Sequence, residues 1–348
     1  GRGALFLTDA VAAHKKIKGI SLHHEQSASF ATVAYADFNE KLGACLVSTG
    51  CAGTNAITGV LNSWQDGIPS IFISGQNKLN ETSNYRSLPI RTFGQQEANI
   101  IPIVDSITKY ATMITDPNSI VYELEKSLYL AREGRKGPVW IDIPLDIQNK
   151  RISPMDLEHF LPERKEDYKP KEFFLRYVSD KLKESKRPVV LIGSGVRSSG
   201  AIKELESFIS KTSIPLVYSN SAPDTYGAIN KMSIGSVGAM GCSRSGNFTV
   251  QNSDLLLILG CKMTTMTTGE QKQKFARDAK VIIVDIDEME HLKENIRIDK
   301  LIISDIKLFL IGLMQFPILK VSEKWKNKCL RWKNIFPNSE ESFNKTKK

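Results

Sequence analysis

Little in this chain points to covalent or metal scaffolding. Its 348 residues hold five cysteines and five histidines. The cysteines (Cys45, Cys51, Cys242, Cys261 and Cys329) form no Cys-x-x-Cys pair and no metal-ligand spacing, which argues against a disulfide framework and a zinc site. Reduced thiols in a cytoplasmic protein are expected instead. No run of eighteen apolar residues exists, which removes a helical membrane span. No signal peptide precedes Gly1, although a start inside a longer chain would leave a lost leader open. Gly193-Ser194-Gly195 with Gly200 lacks the third glycine of a dinucleotide fingerprint, so no nicotinamide site is expected. Acidic residues are the minority, 38 against 47 basic ones, giving a net charge of +9. The excess is largely lysine and collects from Lys320 to Lys348. That stretch lacks a recognition motif, and Trp325, Trp332 and Phe336 fall at helical spacing, as core contacts would. The charge is therefore read as a solubility feature, with no nucleic-acid partner.

What is present is a core-forming composition, 41% hydrophobic and 24% charged. It suits a globular protein long enough for two domains. Short apolar runs alternate with helical patterns. Gly19-Ile20-Ser21 leads into a strand-like pattern that ends at Glu25, where a small-residue helix runs to about Phe38. Residues 43–48 and 70–74 read as buried strands with a helix over 53–65 between them. Asp116-Pro117-Asn118 introduces an amphipathic helix over 119–132, and 139–143 is a further strand. Such alternation predicts parallel sheets covered on both faces. From Arg151 to Pro170 the chain turns polar, with Pro154, Pro162 and Pro170, and reads as a linker. A second α/β unit follows, with strands at 188–192, 255–259 and 280–285 and a closing helix over 305–315. The end, 338–348, reads as disordered.

Glu25 is the most informative residue. It stands at a helix start, a position where open α/β sheets bind ligands if a parallel strand precedes it. Alone, it is equally a carboxylate placed to suit the helix dipole. The motifs around it decide the reading. His23-His24-Glu25-Gln26-Ser27-Ala28, Ser48-Thr49-Gly50-Cys51-Ala52-Gly53-Thr54-Asn55 and Ile73-Ser74-Gly75-Gln76 resemble the pyrimidine-binding domain of thiamine-diphosphate enzymes, most closely the acetolactate synthase large subunit. Gln95-Gln96-Glu97-Ala98-Asn99-Ile100, Ile107-Thr108-Lys109-Tyr110 and 137–144 recur there in the same order. Gly1-Arg2-Gly3 is similar to the end of that family's first glycine-rich turn.

The resemblance implies two doubly wound parallel-sheet domains, one pyrimidine-binding and one Rossmann-like. The expected bounds are 1–152 for the pyrimidine domain, lacking its first strand and helix, 153–170 for the linker and 171–317 for the central domain. Residues 318–348 are expected to form a basic helical tail leading toward an absent diphosphate-binding domain. The likeness implies that Glu25 hydrogen-bonds N1′ of the cofactor's aminopyrimidine, favouring the imino tautomer that deprotonates thiazolium C2. That role needs a largely desolvated carboxyl, for which Ala28, Phe30 and Ala31 are the expected apolar neighbours. Gly50, Gly53, Asn55 and Gln76 are expected beside the cofactor, and Gln96, Lys109 and His24 are candidates at the substrate. His24 directly precedes Glu25, so a structural role stands beside a catalytic one.

Gly238, Gly260, Asp285, Asp287 and Asp305 match the segment that runs beside a flavin in acetolactate synthases. FAD binding stays open, because Gly260-Cys261-Lys262-Met263 replaces the usual Gly-x-Arg-Phe and lysine is no substitute for an arginine fork. Magnesium and the diphosphate would require Gly-Asp-Gly with a later Asn. That pair is lacking here, and Gln65-Asp66-Gly67 is a decoy at a helix end. No metal site is therefore assigned to this chain. The implied activity is carboligation in branched-chain amino-acid synthesis: decarboxylation of a 2-oxo acid such as pyruvate through a C2 ylide, then transfer of the two-carbon unit to a second 2-oxo acid. A homodimer or homotetramer through the pyrimidine domain, or a separate diphosphate-domain chain, would complete the site, and this chain alone is expected to be inactive. The alternatives are another thiamine-diphosphate decarboxylase or carboligase, for instance in surface-polysaccharide synthesis, or a non-catalytic two-domain binding protein.

Overall fold

Both halves of the chain fold as alternating strands and helices around an all-parallel sheet. The computed structural model describes residues 1–153, 155, 157–162, 168–293 and 296–336. The end read as disordered, 338–348, lies outside the described residues. Two compact units divide the chain, Gly1–Lys165 and Glu166–Lys348.

In the first unit, helices α1 (Leu5–Ala13) and α2 (Glu25–Asn39) lead to strand β1 (Gly43–Val47). Then come α3 (Cys51–Asn55), α4 (Ile57–Asp66), β2 (Ser70–Gln76), α5 (Ile100–Val104), β3 (Tyr110–Met113), α6 (Ile120–Leu130), β4 (Pro138–Pro144) and α7 (Leu145–Gln148). The sheet order is β1-β2-β4-β3. β2 and β4 are central and covered on both faces, which is why their sequences are near-continuous apolar runs. One face carries Cys45, Val47, Phe72 and Trp140 against Ala56, Val60, Ile100 and Val104. The other carries Ile71, Val139, Ile141 and Ile143. Phe72 and Trp140 are register partners on adjacent strands, and their rings stack 7° from parallel.

Two expectations are corrected. The strand before Glu25 does not form: residues 14–24 are irregular, and Ile20 is 75% exposed. A strand needs a neighbour to satisfy its backbone groups, and among the described residues β1 pairs only with β2. The single helix expected over 53–65 is broken at Ala56, whose amide donates to the Gly53 carbonyl. That bond spans three residues instead of four, the tightened turn that separates short helical pieces.

The second unit begins with α8 (Glu172–Glu184), β5 (Pro188–Ile192), α9 (Gly195–Ser198), α10 (Ile202–Thr212), β6 (Leu216–Tyr218) and β7 (Ser233–Ser236). It continues through α11 (Arg244–Gln251), β8 (Leu255–Leu259), α12 (Thr265–Thr268), β9 (Lys280–Asp285), β10 (Lys300–Ile303), α13 (Ile306–Leu313) and α14 (Glu323–Ile335). The order β10-β9-β8-β5-β6-β7 reverses direction between β8 and β5. The basic stretch after Lys320 is part of this unit's core: α14 buries Trp325 and Cys329, and the Trp325 indole N–H donates to the Pro188 carbonyl.

Candidate functional site

The site in the first unit grows from the contact between α2 and α4. Gly59 of α4 lies so close to Ser29 of α2 that a Cβ there would stand 2.3 Å from the Ser29 hydroxyl oxygen. The Gln26 side-chain amide also donates to the Thr58 hydroxyl, 3.2 Å away. This close approach sets the start of α2 against the end of α3. The Asn55 Nδ2 therefore donates to Glu25 Oε2 at 3.0 Å. Glu25 and Asn55, thirty residues apart in sequence, are two expected site residues of this unit that the fold joins by a direct bond.

Glu25 is only half-buried. The Asn55 hydrogen bond outweighs the opposing effect of burial and holds its carboxyl below the usual carboxylate range. The expected desolvation is absent in this unit because Phe30 and Ala31 face outward. Ser27, Phe30, Ala31, Ala34, Tyr35 and Phe38 form an exposed stripe at helical spacing, while Ser29, Thr32, Val33 and Ala36 are the buried face. Phe38 is 88% exposed, and Leu61 and Trp64 of α4 are exposed as well. A stripe this apolar marks a surface suited to cover. His24 takes a structural place: its Nδ1 accepts the Gln26 amide at 3.1 Å and caps α2, the role short polar side chains usually fill.

Gly50 begins α3 with φ 64° and ψ −122°, a conformation that favours glycine. A Cβ on it would stand 1.9 Å from the Gln96 carbonyl oxygen. Gln96 itself has φ 55° and is exposed. Gly50 and Gln96 are thus brought together, with Gly53 buried at the next turn against Ile100 and Trp140.

Gln76 is 2% exposed and turns into the core. Its Oε1 accepts the Thr49 hydroxyl at 2.6 Å and the Asn77 amide at 3.0 Å. Its Nε2 donates to the Ala98 carbonyl at 2.9 Å and to Asp142 Oδ2 at 3.0 Å. Both ends of the Gln76 amide are thus engaged within the protein. Lys109 is not joined to the site. Its amide pairs with Pro138, at the start of β4, whereas Gly50 follows the far end of β1 and Gln76 is the last residue of β2. Its ammonium donates to the Glu133 carbonyl, and burial pulls it down to about 8.

The residue missed in the sequence is Asp142. It is 1% exposed on β4, accepting the Ser74 hydroxyl at 2.6 Å and the Gln76 amide. A carboxylate inside an otherwise apolar strand is the signal that could have found it.

In the second unit, Gly193 and Gly195 pack against the backbone of Gly260 and Cys261, where the strand order reverses. The expected flavin-site carboxylates are engaged locally. Asp285 meets His291 Nε2 at 3.2 Å and accepts the Asp287 amide at 3.1 Å. Asp287 accepts the Met289 amide at 3.0 Å, and Asp305 caps α13 through the Leu308 amide at 2.9 Å. The Gly238 amide and carbonyl are held by the Asn247 side chain. All five cysteines are free thiols. Among the described residues no cluster of three His, Cys, Asp or Glu could hold a metal, and no helix is long and apolar enough to cross a membrane.

Residues 1–112 match the family model described as the thiamine pyrophosphate enzyme N-terminal TPP binding domain, and residues 175–313 match its central domain. The chain is similar to the acetolactate synthase large subunit of Corynebacterium glutamicum, 32% identical over 295 residues, which are 83% of this chain and 45% of that protein. It is 31% identical over 338 residues to the acetolactate synthase large subunit of Cyanidium caldarium, covering 93% of this chain and 56% of that protein. The probable acetolactate synthase large subunit of Methanocaldococcus jannaschii is 30% identical over 329 residues, 91% of this chain and 53% of that protein. The chain thus spans about half the length of these relatives.

Proposed function

Because the chain belongs to the thiamine pyrophosphate enzymes and carries their N-terminal and central domains, we propose that it is the pyrimidine-binding part of an acetolactate-synthase-like carboligase. The observation that carries this reading is the Glu25–Asn55 pair at the start of α2, beside the glycine loop at Gly50. A carboxyl there suits the N1′ atom of an aminopyrimidine ring. Thiamine diphosphate, when bound, supplies a thiazolium carbon acid and an electron sink. Glu25 holds the proton at N1′, and Asn55 orients the carboxyl that does so.

The proton-holding role needs a drier carboxyl than this unit provides. Cover by a second surface would supply it, and the apolar stripe from Ser27 to Phe38 with Leu61 and Trp64 is where such a surface would seat. That is the support for assembly through this domain, with a second copy or a diphosphate-binding chain. In this reading the metal and diphosphate are held by that covering surface. The second unit presents backbone glycines where its strand order reverses, but its carboxylates are committed to turns and caps and Lys262 replaces the fork-forming arginine. These residues do not fit a flavin diphosphate, and no step is assigned to one.

The substrates proposed are 2-oxo acids: pyruvate loses carbon dioxide and its two-carbon unit joins a second 2-oxo acid. The test is product analysis with this chain joined to a diphosphate-binding domain. Acetolactate from pyruvate is the expected product. Free acetaldehyde as the main product would instead identify a simple decarboxylase, and no consumption of pyruvate would refute the reading.

A further inference from the structure

The polar chain buried between β2 and β4 does more than fill the core. Asp142 and Ser74 are register partners, and Gln76 lies two residues on, so all three share one face of the sheet. The Trp140 indole donates to the Ser74 hydroxyl at 2.8 Å, and Ser74 donates to Asp142. Gln76 donates to Asp142 and to Ala98, which leaves its oxygen to accept Thr49 and the Asn77 amide. Every side chain on Asp142 is therefore a donor, the arrangement an ionised carboxylate requires. The Gln76 amide is fixed in one sense, because reversing it would set its NH2 against the Asn77 N–H and its oxygen against the Ala98 carbonyl.

The two loops this amide grips carry site residues. Thr49 precedes Gly50, and Ala98 follows Gln96, whose carbonyl lies against Gly50. Stability alone does not explain the carboxylate. Facing it are Ser74, Gln76 and Trp140, with Met113 paired on β3. The covering helices α3 and α5 contain no ionisable group except the exposed Cys51, α4 contributes only Asp66 at its far end, and α2 contributes Glu25 at its start and Asp37 near its end. Among the described residues, the influences on Asp142 are burial and its Ser74 and Gln76 hydrogen bonds, with no ionised side chain among them. A buried charge without a counter-ion destabilises a fold, so its presence needs another account.

We propose that ionised Asp142, acting through the Gln76 amide, is a positioning residue that clamps the Gly50 loop to the Gln96 loop. Its effect on turnover rests on the proposed carboligase reading; the clamp itself does not. When Asp142 takes up a proton, its bond to the Gln76 amide loses its charge assistance, and the hold on that amide weakens. The loops should then loosen in mild acid and tighten above neutrality, because burial pushes this carboxyl up to about 7.

The experiment is hydrogen–deuterium exchange on the full 348-residue chain without cofactor, at about pH 6 and about pH 8, either side of that value, corrected for intrinsic exchange. Wild-type peptides covering 48–55 and 94–99 should exchange about tenfold faster, after correction, at the lower pH, the change that one charge-assisted hydrogen bond carries. Asp142→Asn should exchange fast at both pH values. Adding Gln76→Glu to it restores an acceptor for Thr49 and Asn77 but sets a carboxylate against Ala98. The double variant should therefore recover slow exchange at 48–55 and not at 94–99. Wild-type loops indifferent to pH would overturn the proposal without any variant. Uniform acceleration across β2 and β4 in Asp142→Asn would also overturn it, by showing a purely structural role. Either failure leaves the proton-exchange test of Glu25 untouched, so the clamp and the carboligase reading are judged separately.

Discussion

Replacing Asp142 by Asn preserves size and removes the ionisation, while turning one acceptor oxygen into a donor at every pH; the pH dependence therefore isolates the charge. The ordinary value of 3.8 rises to about 7 because the group is desolvated, against the smaller opposing effect of its Ser74 and Gln76 hydrogen bonds. Between those values the folded chain keeps a proton that the unfolded chain has released. Stability from this group is therefore fully present below about pH 4, falls as pH rises toward 7, and is level beyond it. At about 1.4 kcal/mol per pH unit over roughly three units, the swing is on the order of 4 kcal/mol. That is a large share of the ~5–15 kcal/mol that holds a domain folded. The assay is urea unfolding from about pH 4 to about pH 8, spanning that window, in a Trp325→Phe, Trp332→Phe background, which confines tryptophan emission to Trp64 and Trp140 of the first unit. The stability gap between the wild-type carboxyl and the Asp142→Asn variant should move by several kcal/mol in favour of the variant as pH rises. Parallel stability curves would refute the assignment of a buried, unpaired carboxyl. The signature is unusual in its signs: the site loops tighten over the same window in which the domain as a whole weakens.

Two further substitutions probe the surroundings. Gly50→Ala places a Cβ 1.9 Å from the Gln96 carbonyl oxygen at φ 64°. A loss of about 1–3 kcal/mol in the first unit, with faster limited proteolysis at 94–99, is expected, and an unchanged unfolding midpoint would contradict the described loop contact. Lys109 has its folded value pulled below 10.5 to about 8 by burial, so its stabilising effect is present above 10.5 and is lost as pH falls to 8. Lys109→Met should accordingly raise the melting temperature near neutral pH, by a gain of about 1 kcal/mol once partial exposure is discounted; a lower one would show that the Glu133 contact outweighs desolvation.

The parallel sheets are legible in the sequence because their central strands are buried on both faces, so Phe72, Trp140 and Ile141 stand in apolar runs without polar alternation. The strand expected at Gly19-Ile20-Ser21 fails because pattern records which residues could pair, not whether a neighbouring strand is there. Glu25 and Asn55 are marked as candidates by their motifs, but their bond depends on Gly59 meeting Ser29, a contact between helices that spacing does not reveal. Gln76 is expected beside a cofactor because its motif resembles one in the family. Its direction in the fold is set by Thr49, Asn77, Ala98 and Asp142, the last sixty-six residues away, which its motif does not reveal. Lys109 lies apart from Gly50 and Gln76 for a related reason: a motif records order along the chain, while a parallel sheet sends the starts and ends of its strands to opposite rims.

Thiazolium C2 proton exchange tests the role of Glu25 most directly. In an assembly that pairs this chain with a diphosphate-binding domain, the wild-type protein should strip that proton rapidly. Glu25→Gln should slow it by about 10²–10⁴-fold, the range of a positioned acid–base group, with folding intact. Exchange at the wild-type rate in the glutamine variant would contradict the account.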